Sequence, residues 1–206
     1  ARTQTINQIR SIIRSAPAAL ADSLRGLPLT ELITRLTRWR ADTTNHATLP
    51  ATKTALTRLA RRWTYLTEEI SAADHTITEL TSQIAPELLA IDYVGPHTAA
   101  QLLITAGSNP DRLHHEASFA RLTGVAPIPA SSGNTTRPRL DRGGDRQLNN
   151  AIHTIARTRA NGHPESTAYI QRRINEGKTR REALRALKRH VARRAYTILK
   201  TTSPTL

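Results

Sequence analysis

Ser131 and Ser132 stand side by side before Gly133, and Arg137, Arg139, Arg142 and Arg146 follow within the next fourteen residues. A serine oxygen attacks phosphorus once a base takes its proton. Guanidinium forks match phosphate oxygens in both geometry and charge. Together these residue types suit a phosphodiester. They also suit a loop that only grips a nucleic-acid backbone, and residue types alone leave both readings open. Gly133, Gly143 and Gly144 are expected to let the backbone approach such a ligand closely. His153 is a candidate base, although a lone histidine on a helix is more often structural. Asp141 and Asp145 read as solvated partners of the flanking arginines. His114-His115 lack any accompanying ligand spacing, so no zinc is expected.

The charge balance points the same way. The 206 residues carry 30 Lys+Arg against 16 Asp+Glu, a formal net charge of +14, as expected of a polyanion binder. Residues 1–111 hold 11 basic and 10 acidic side chains, whereas residues 112–206 hold 19 and 6. Nearly all the excess therefore sits where the serines and arginines sit. The chain has two Trp, four Tyr and one Phe, too few rings for a binder built on base-stacking platforms. It has no cysteine, which excludes disulfides, thiolate zinc sites and thiol catalysis. No apolar run approaches 18 residues, so no membrane partner is expected. The reading is a soluble, cytoplasmic protein associated with the nucleoid. An opening on Ala1 fits either initiator-methionine removal or truncation.

The elements that must position these residues read as helices almost throughout. Residues 3–15 carry Ile6, Ile9 and Ile13 on one stripe, and 28–40 carry Leu29, Leu32, Leu36 and Trp39. Thr43 to Pro50 reads as a polar break. Leu56, Leu59, Trp63, Leu66, Ile70, Ala73, Ile77, Leu80 and Ile84 then alternate in steps of three and four, an a/d seam predicting a long coiled-coil helix. Its partner is either the earlier helices or a second subunit, and a helical hairpin that also mediates oligomerisation is expected. Residues 88–106 read as helix, tight turn and helix around Gly95. In this helix-hairpin-helix pattern the glycine reverses the chain, and the N–H groups near His97 and Thr98 face a phosphate. A short helix is expected over 115–123, a long ordered loop from Gly124 to Gly144, and a helix from Arg146 to Asn161. Two basic helices follow, Thr167–Glu176 and Thr179–Lys200. On the last, Lys188, Arg180, Arg181, Arg185, Arg189, Arg193 and Arg194 cover much of the face away from the apolar side, with Lys178 just ahead. These cations are the expected contact surface for a DNA or RNA backbone.

From Leu88 to about Leu199 the chain resembles the C-terminal domain of the insertion-sequence transposases related to the Piv DNA invertase, the IS-one-ten family. The resemblance rests on ordered elements: Ile91-Asp-Tyr-Val-Gly-Pro-His-Thr-Ala-Ala100, Phe119-Ala-Arg-Leu-Thr-Gly-Val-Ala-Pro127, Ser131-Ser-Gly133 and Arg139-Leu-Asp-Arg-Gly-Gly-Asp-Arg146. His163-Pro164, Tyr169 and Glu176-Gly-Lys178 continue the series. Residues 1–85 are similar to the helical linker that precedes that domain. The resemblance implies a DNA recombinase that cuts and rejoins insertion-sequence ends, guided by a structured non-coding RNA. It implies a catalytic serine at Ser132, with Ser131 second, and a phosphate clamp at Arg139, Arg142 and Arg146. It also implies a separate N-terminal RuvC-like domain with acidic ligands for Mg2+, no trace of which is found here. No cofactor is expected in this chain. Asp141 and Asp145 stand where the family usually has Ser and Asn, which makes them poor metal ligands.

The resulting expectation is an all-α protein. A coiled-coil linker and oligomerisation region occupies residues 1–85, and a basic helical domain with the serine loop occupies 86–206. Two other readings stay open: a non-catalytic helix-hairpin-helix nucleic-acid binder, and a structural coiled-coil oligomeriser.

Overall fold

The computed structural model describes residues 1–39, 48–107, 113–132, 135–141 and 143–201, with the backbone alone for residues 48, 131, 132 and 135–137. Among them are ten helices and a single two-stranded ribbon, so the fold is all-α. The chain forms two compact units, Ala1–Ala73 and Asp74–Leu206. The division falls within a continuous helix, ahead of Pro86.

In the first unit, α1 (Arg2–Ser15) buries Ile6 and Ile9, the inner half of the expected isoleucine stripe. Helix α2 (Ala18–Leu24) has no counterpart in the periodicity; it is two turns long and follows Pro17, whose fixed φ suits a helix entry. Helix α3 (Leu29–Thr37) opens after Pro28 and buries Leu32, Ile33 and Leu36. These side chains form one core with Leu56 and Ala60 of the long helix α4 (Thr48–Ile84). Helix α4 begins before Pro50, in what reads as a break, because proline is tolerated in a first helical turn.

The long seam of α4 divides along its length. Leu56 is fully buried, and Leu59 and Trp63 pack against the first core. Ile70, Leu80 and Ile84 are 38%, 49% and 42% exposed. The periodicity is thus present over the whole helix, but in its second half Ile77 is half-buried and Thr81 buried while Ile70, Leu80 and Ile84 stay open.

In the second unit, α5 (Pro86–Leu89) is a single turn and α6 (Pro96–Ala106) buries Ala99, Leu102 and Ala106. Helix α7 (Glu116–Leu122) contributes Phe119. Helix α8 (Arg146–Gly162) lies at the centre, with Leu148, Ile152 and Ile155 fully buried. Helix α9 (Pro164–Asn175) and α10 (Arg180–Thr201) pack beside it, α10 through Ala183, Leu187, Val191 and Ala195. Ala183, Ala192 and Ala195 of α10 are buried in the core, while Arg180, Arg181, Arg193 and Arg194 stay exposed.

Residues 128–132 and 135–139, expected as part of a long ordered loop, form an antiparallel ribbon. Strand β1 (Ile128–Ser132) pairs with β2 (Thr135–Arg139), in the register Ile128↔Arg139, Ala130↔Arg137 and Ser132↔Thr135. Pro129 and Pro138 face each other across it. A proline in each strand obscures the alternation that signals a strand, which hides the ribbon from the sequence pattern.

Candidate nucleic-acid interface

The ribbon sorts the two serines. In an antiparallel pair, residues directly opposite share a face and successive residues alternate between faces. Backbone register therefore puts position 132 on the same face as positions 137 and 139, and position 131 on the other face with 138. Positions 132 and 137 are diagonal neighbours, about 7–8 Å apart at that spacing. Ser132 is also the last paired residue of β1, at the end of the ribbon opposite the Ile128–Arg139 pair. Gly133 and Arg142 lie outside the described residues. The described side chains of Arg139 and Arg146 are exposed.

The segment returning from the ribbon is tied down by its two aspartates and two glycines. Asp141 is buried and accepts the Gly143 N–H at 2.9 Å. Asp145 caps α8, accepting the Leu148 N–H at 2.6 Å. Both carboxylates thus accept backbone donors; Arg142, one of the flanking arginines of their expected pairing, lies outside the described residues. Gly144 packs against protein backbone: a Cβ there would meet Gly124 N at 2.4 Å and Leu122 O at 2.7 Å. Its close approach is to α7's C-terminal turn, which accounts for the glycine without invoking a ligand. Asp145 N–H donates to Leu122 O at 2.7 Å across the same contact.

A side-chain clamp that the sequence does not reveal completes the base of the loop. Asn149 on α8 donates through Nδ2 to the Thr123 carbonyl at 2.6 Å and the Gly124 carbonyl at 3.3 Å. Lys188 of α10 donates to Asn149 Oδ1 at 3.0 Å. Helical spacing puts Lys188 on the outer basic face, yet it is only 6% exposed. Burial pulls its ammonium below the ordinary lysine pKa. One helical turn of spacing cannot distinguish a lysine on the boundary from one fully outside, and that ambiguity hides the clamp.

The outer face of α10 keeps its cations. Arg180, Arg181, Arg193 and Arg194 are exposed, and Arg185 is half-buried. Arg180 donates to Asn161 Oδ1 at 2.9 Å. Arg189 is bound by Glu116 of α7 at 2.9 Å, with Arg193 at 3.7 Å from the same carboxylate. Glu116 thus offsets part of the positive field. Lys178 is exposed in the turn before α10. Burial, then the charges of Arg193, Arg173 and Arg189, hold His190 below the usual imidazole pKa. His153 is lowered by burial and by Lys188 and Arg157.

The α5–α6 turn departs from its expected geometry. Gly95 has φ −95°, which any residue adopts, and nothing lies within 4 Å of its would-be Cβ. The left-handed residue is Tyr93, at φ 66°. Its ring meets His163 edge-on at 6.1 Å, and His163 Nε2 lies 3.3 Å from Asp92. That turn is therefore braced against the α8–α9 corner. Thr98 Oγ1 accepts the Gly95 N–H at 3.1 Å, capping α6. His97 Nε2 lies 3.0 Å from Asp74 on an exposed surface.

Among the described residues no group of three or more His, Asp or Glu could hold a metal ion. No helix among them is long and apolar enough to cross a membrane.

Residues 85–171 match the model of the transposase IS116/IS110/IS902 family. The chain is 35% identical over 136 residues to the "Insertion element IS110 uncharacterized 43.6 kDa protein" of Streptomyces coelicolor. That match covers 64% of this chain and 33% of the relative. It is 27% identical over 195 residues to the "Insertion element IS900 uncharacterized 42 kDa protein" of Mycobacterium paratuberculosis, covering 88% of this chain and 45% of the relative. The chain thus spans between a third and a half of these relatives. Over residues 85–171 the chain is thus similar to the transposases of the IS116/IS110/IS902 family.

Proposed function

We propose that this chain is the DNA-joining part of an insertion-sequence transposase, with Ser132 as the nucleophile. The observation that carries the reading is the ribbon register. It puts position 132 on the face of positions 137 and 139, at the last pair of the ribbon, in a chain similar to transposases over residues 85–171. Ser132 Oγ attacks the scissile phosphorus, and the P–O bond to one DNA strand breaks as the phosphoserine bond forms. The departing strand keeps the electron pair as a hydroxyl once protonated, and the serine proton passes to a base. Attack by that hydroxyl, or by another, reverses the step without ATP, because the phosphodiester energy is conserved in the ester. Arg137, Arg139, Arg142 and Arg146 act on the charge gathering at the phosphoryl oxygens. The exposed arginines of α10, with Lys178, bind the flanking backbone. Gly95, His97 and Thr98 at the start of α6 form a second, smaller backbone contact.

The wider assembly is part of the same proposal. A structured RNA chooses the DNA sites. A RuvC-like domain elsewhere in the full protein supplies the acidic Mg2+ ligands. The exposed half of the α4 seam pairs with its copy in a homo-oligomer.

The test is a covalent adduct. The full-length protein is incubated with magnesium, its co-purifying RNA and labelled element-end DNA, then run on a denaturing gel beside Ser132→Ala and Ser131→Ala. An adduct lost with Ser132→Ala and kept with Ser131→Ala supports the reading. Tight, salt-sensitive binding with no adduct in any lane supports instead a docking module that performs no chemistry.

A further inference from the structure

Between the base of the ribbon and helices α9–α10 lies a cavity of about 330 Å³. Its walls are of two kinds. Val125, Ala126, Pro127, Pro138, Leu140 and Ala186 are apolar or present flat ring faces. Arg139, Arg173, Lys178, Arg185, Lys188 and Arg189 supply cations, against Asp141 and Glu182. Asp141 is already engaged by the Gly143 N–H, and Glu182 by the Thr179 N–H and hydroxyl at 2.8 Å each.

Two of the cations are incompletely satisfied. Arg189 Nη1 and Arg173 Nε are buried without a hydrogen-bond partner among the described residues, although each guanidinium is otherwise held by a glutamate. A buried unpaired donor is costly. An acceptor brought into the cavity, with a small rotation of either guanidinium, relieves that cost. The required ligand is therefore anionic at one end and flat or apolar over most of its volume. A lone phosphate would leave most of the space unfilled, and a purely apolar ligand would leave the cations desolvated.

We infer that this cavity receives one unstacked nucleotide of the DNA strand that the ribbon engages, with its base against the proline and aliphatic wall and its phosphate on the arginines. The inference rests on the DNA-binding reading above and adds a site to it. Placement fits. Four residue steps separate Ile128 at the cavity end of β1 from Ser132, about 13 Å at strand spacing. A stacked strand advances about 3.4 Å per nucleotide, so the captured nucleotide lies roughly four positions from the phosphate at Ser132. Enzymes that hold a strand for chemistry can extrude a base into a fitted pocket, and an already unpaired base enters at least cost.

The test measures binding of the chain to four duplexes of one sequence context: fully paired DNA, DNA with one unpaired 2-aminopurine, DNA with an abasic residue at that position, and RNA with one unpaired base. The expected result is about tenfold tighter binding of the 2-aminopurine bulge than of paired DNA, set by contacts to one base, and no advantage for the abasic bulge. Ala186→Phe, which fills the cavity, is expected to abolish the advantage while leaving paired-DNA affinity and the melting curve unchanged. Equal affinity for all three DNA duplexes overturns this inference alone, with or without the variant. A tenfold preference shown only by the RNA bulge overturns the assignment to the DNA strand. No affinity for any duplex overturns the proposed function, and this inference with it.

Discussion

Gly144→Ala puts the base of the arginine loop to the test. The added Cβ would sit 2.4 Å from Gly124 N, 2.7 Å from Leu122 O and 2.8 Å from Gly124 Cα. All three are backbone atoms, so no side-chain rotation relieves the overlap and the α7–α8 junction must part. Overpacking of this kind costs about 1–3 kcal/mol. Separation also breaks the 2.7 Å bond from Asp145 N–H to Leu122 O, worth about 1 kcal/mol. The expected destabilisation is about 2–4 kcal/mol. For a unit of this size each kcal/mol moves the melting temperature by roughly 4 °C, which gives a fall of about 8–16 °C. Gly95→Ala is the control. Its Cβ meets nothing and its φ is ordinary, so its cost is about 1 kcal/mol or less, the preference for glycine over alanine at a helix N-cap. Far-UV circular dichroism follows both units, while Trp39 and Trp63 lie only in the first and report on it by fluorescence. Gly144→Ala should lower the dichroism transition and leave the fluorescence transition in place. Equal melting of the two variants would refute the argument that this glycine is held by backbone contact.

Other perturbations have equally definite outcomes. His153 and His190 have pKa values lowered from 6.5, so the unfolded chain binds more protons than the folded one as pH falls through that value. Their contribution to stability is present above pH 6.5 and lost below it, and His153→Gln with His190→Gln should flatten urea midpoints measured between pH 7.5 and 5, a window set about that value. Replacing exposed Arg181 and Arg193 with alanine should reduce the slope of log K against log salt by about 0.9 for each phosphate that is no longer neutralised. Lys188→Ala should leave that slope unchanged and lower the melting point, because its ammonium serves Asn149. Ile70→Lys with Leu80→Lys should convert an oligomer to a monomer in sedimentation velocity without loss of helicity; an unchanged sedimentation coefficient from an oligomeric starting point would discard the α4 seam as the interface.

Most of the helical architecture is legible in the sequence because its apolar spacing is regular. Leu148, Ile152 and Ile155 on α8 and Leu32 and Leu36 on α3 lie inward as their periodicity requires. The ribbon is not, because Pro129 and Pro138 stand where strand-forming side chains would have announced it. Sequence reasoning assigns the chain reversal to Gly95 because glycine is the usual carrier of a positive φ, whereas Tyr93 takes it, braced by the ring of His163. Contacts between residues far apart in sequence carry no local signal. The bond from Lys188 to Asn149 spans 39 residues and that from Arg189 to Glu116 spans 73.

The basic face of α10 and the seam of α4 show why a pattern in sequence identifies a surface before it identifies what meets that surface. A cation at helical spacing is compatible with solvent, a carboxylate, a buried amide or a phosphate. In this chain Arg181 faces solvent, Arg189 meets Glu116, and Lys188 meets Asn149. Likewise one unbroken a/d register covers Leu56, sealed in a core, and Leu80, left half open. An isolated exposed leucine is ordinary. Ile70, Leu80 and Ile84 recurring on the register of one helix are not isolated, and such a stripe is the form in which a helix presents itself to another helix. Since the first half of the seam is already satisfied within the chain, the second half is where the proposed pairing with another copy must be sought.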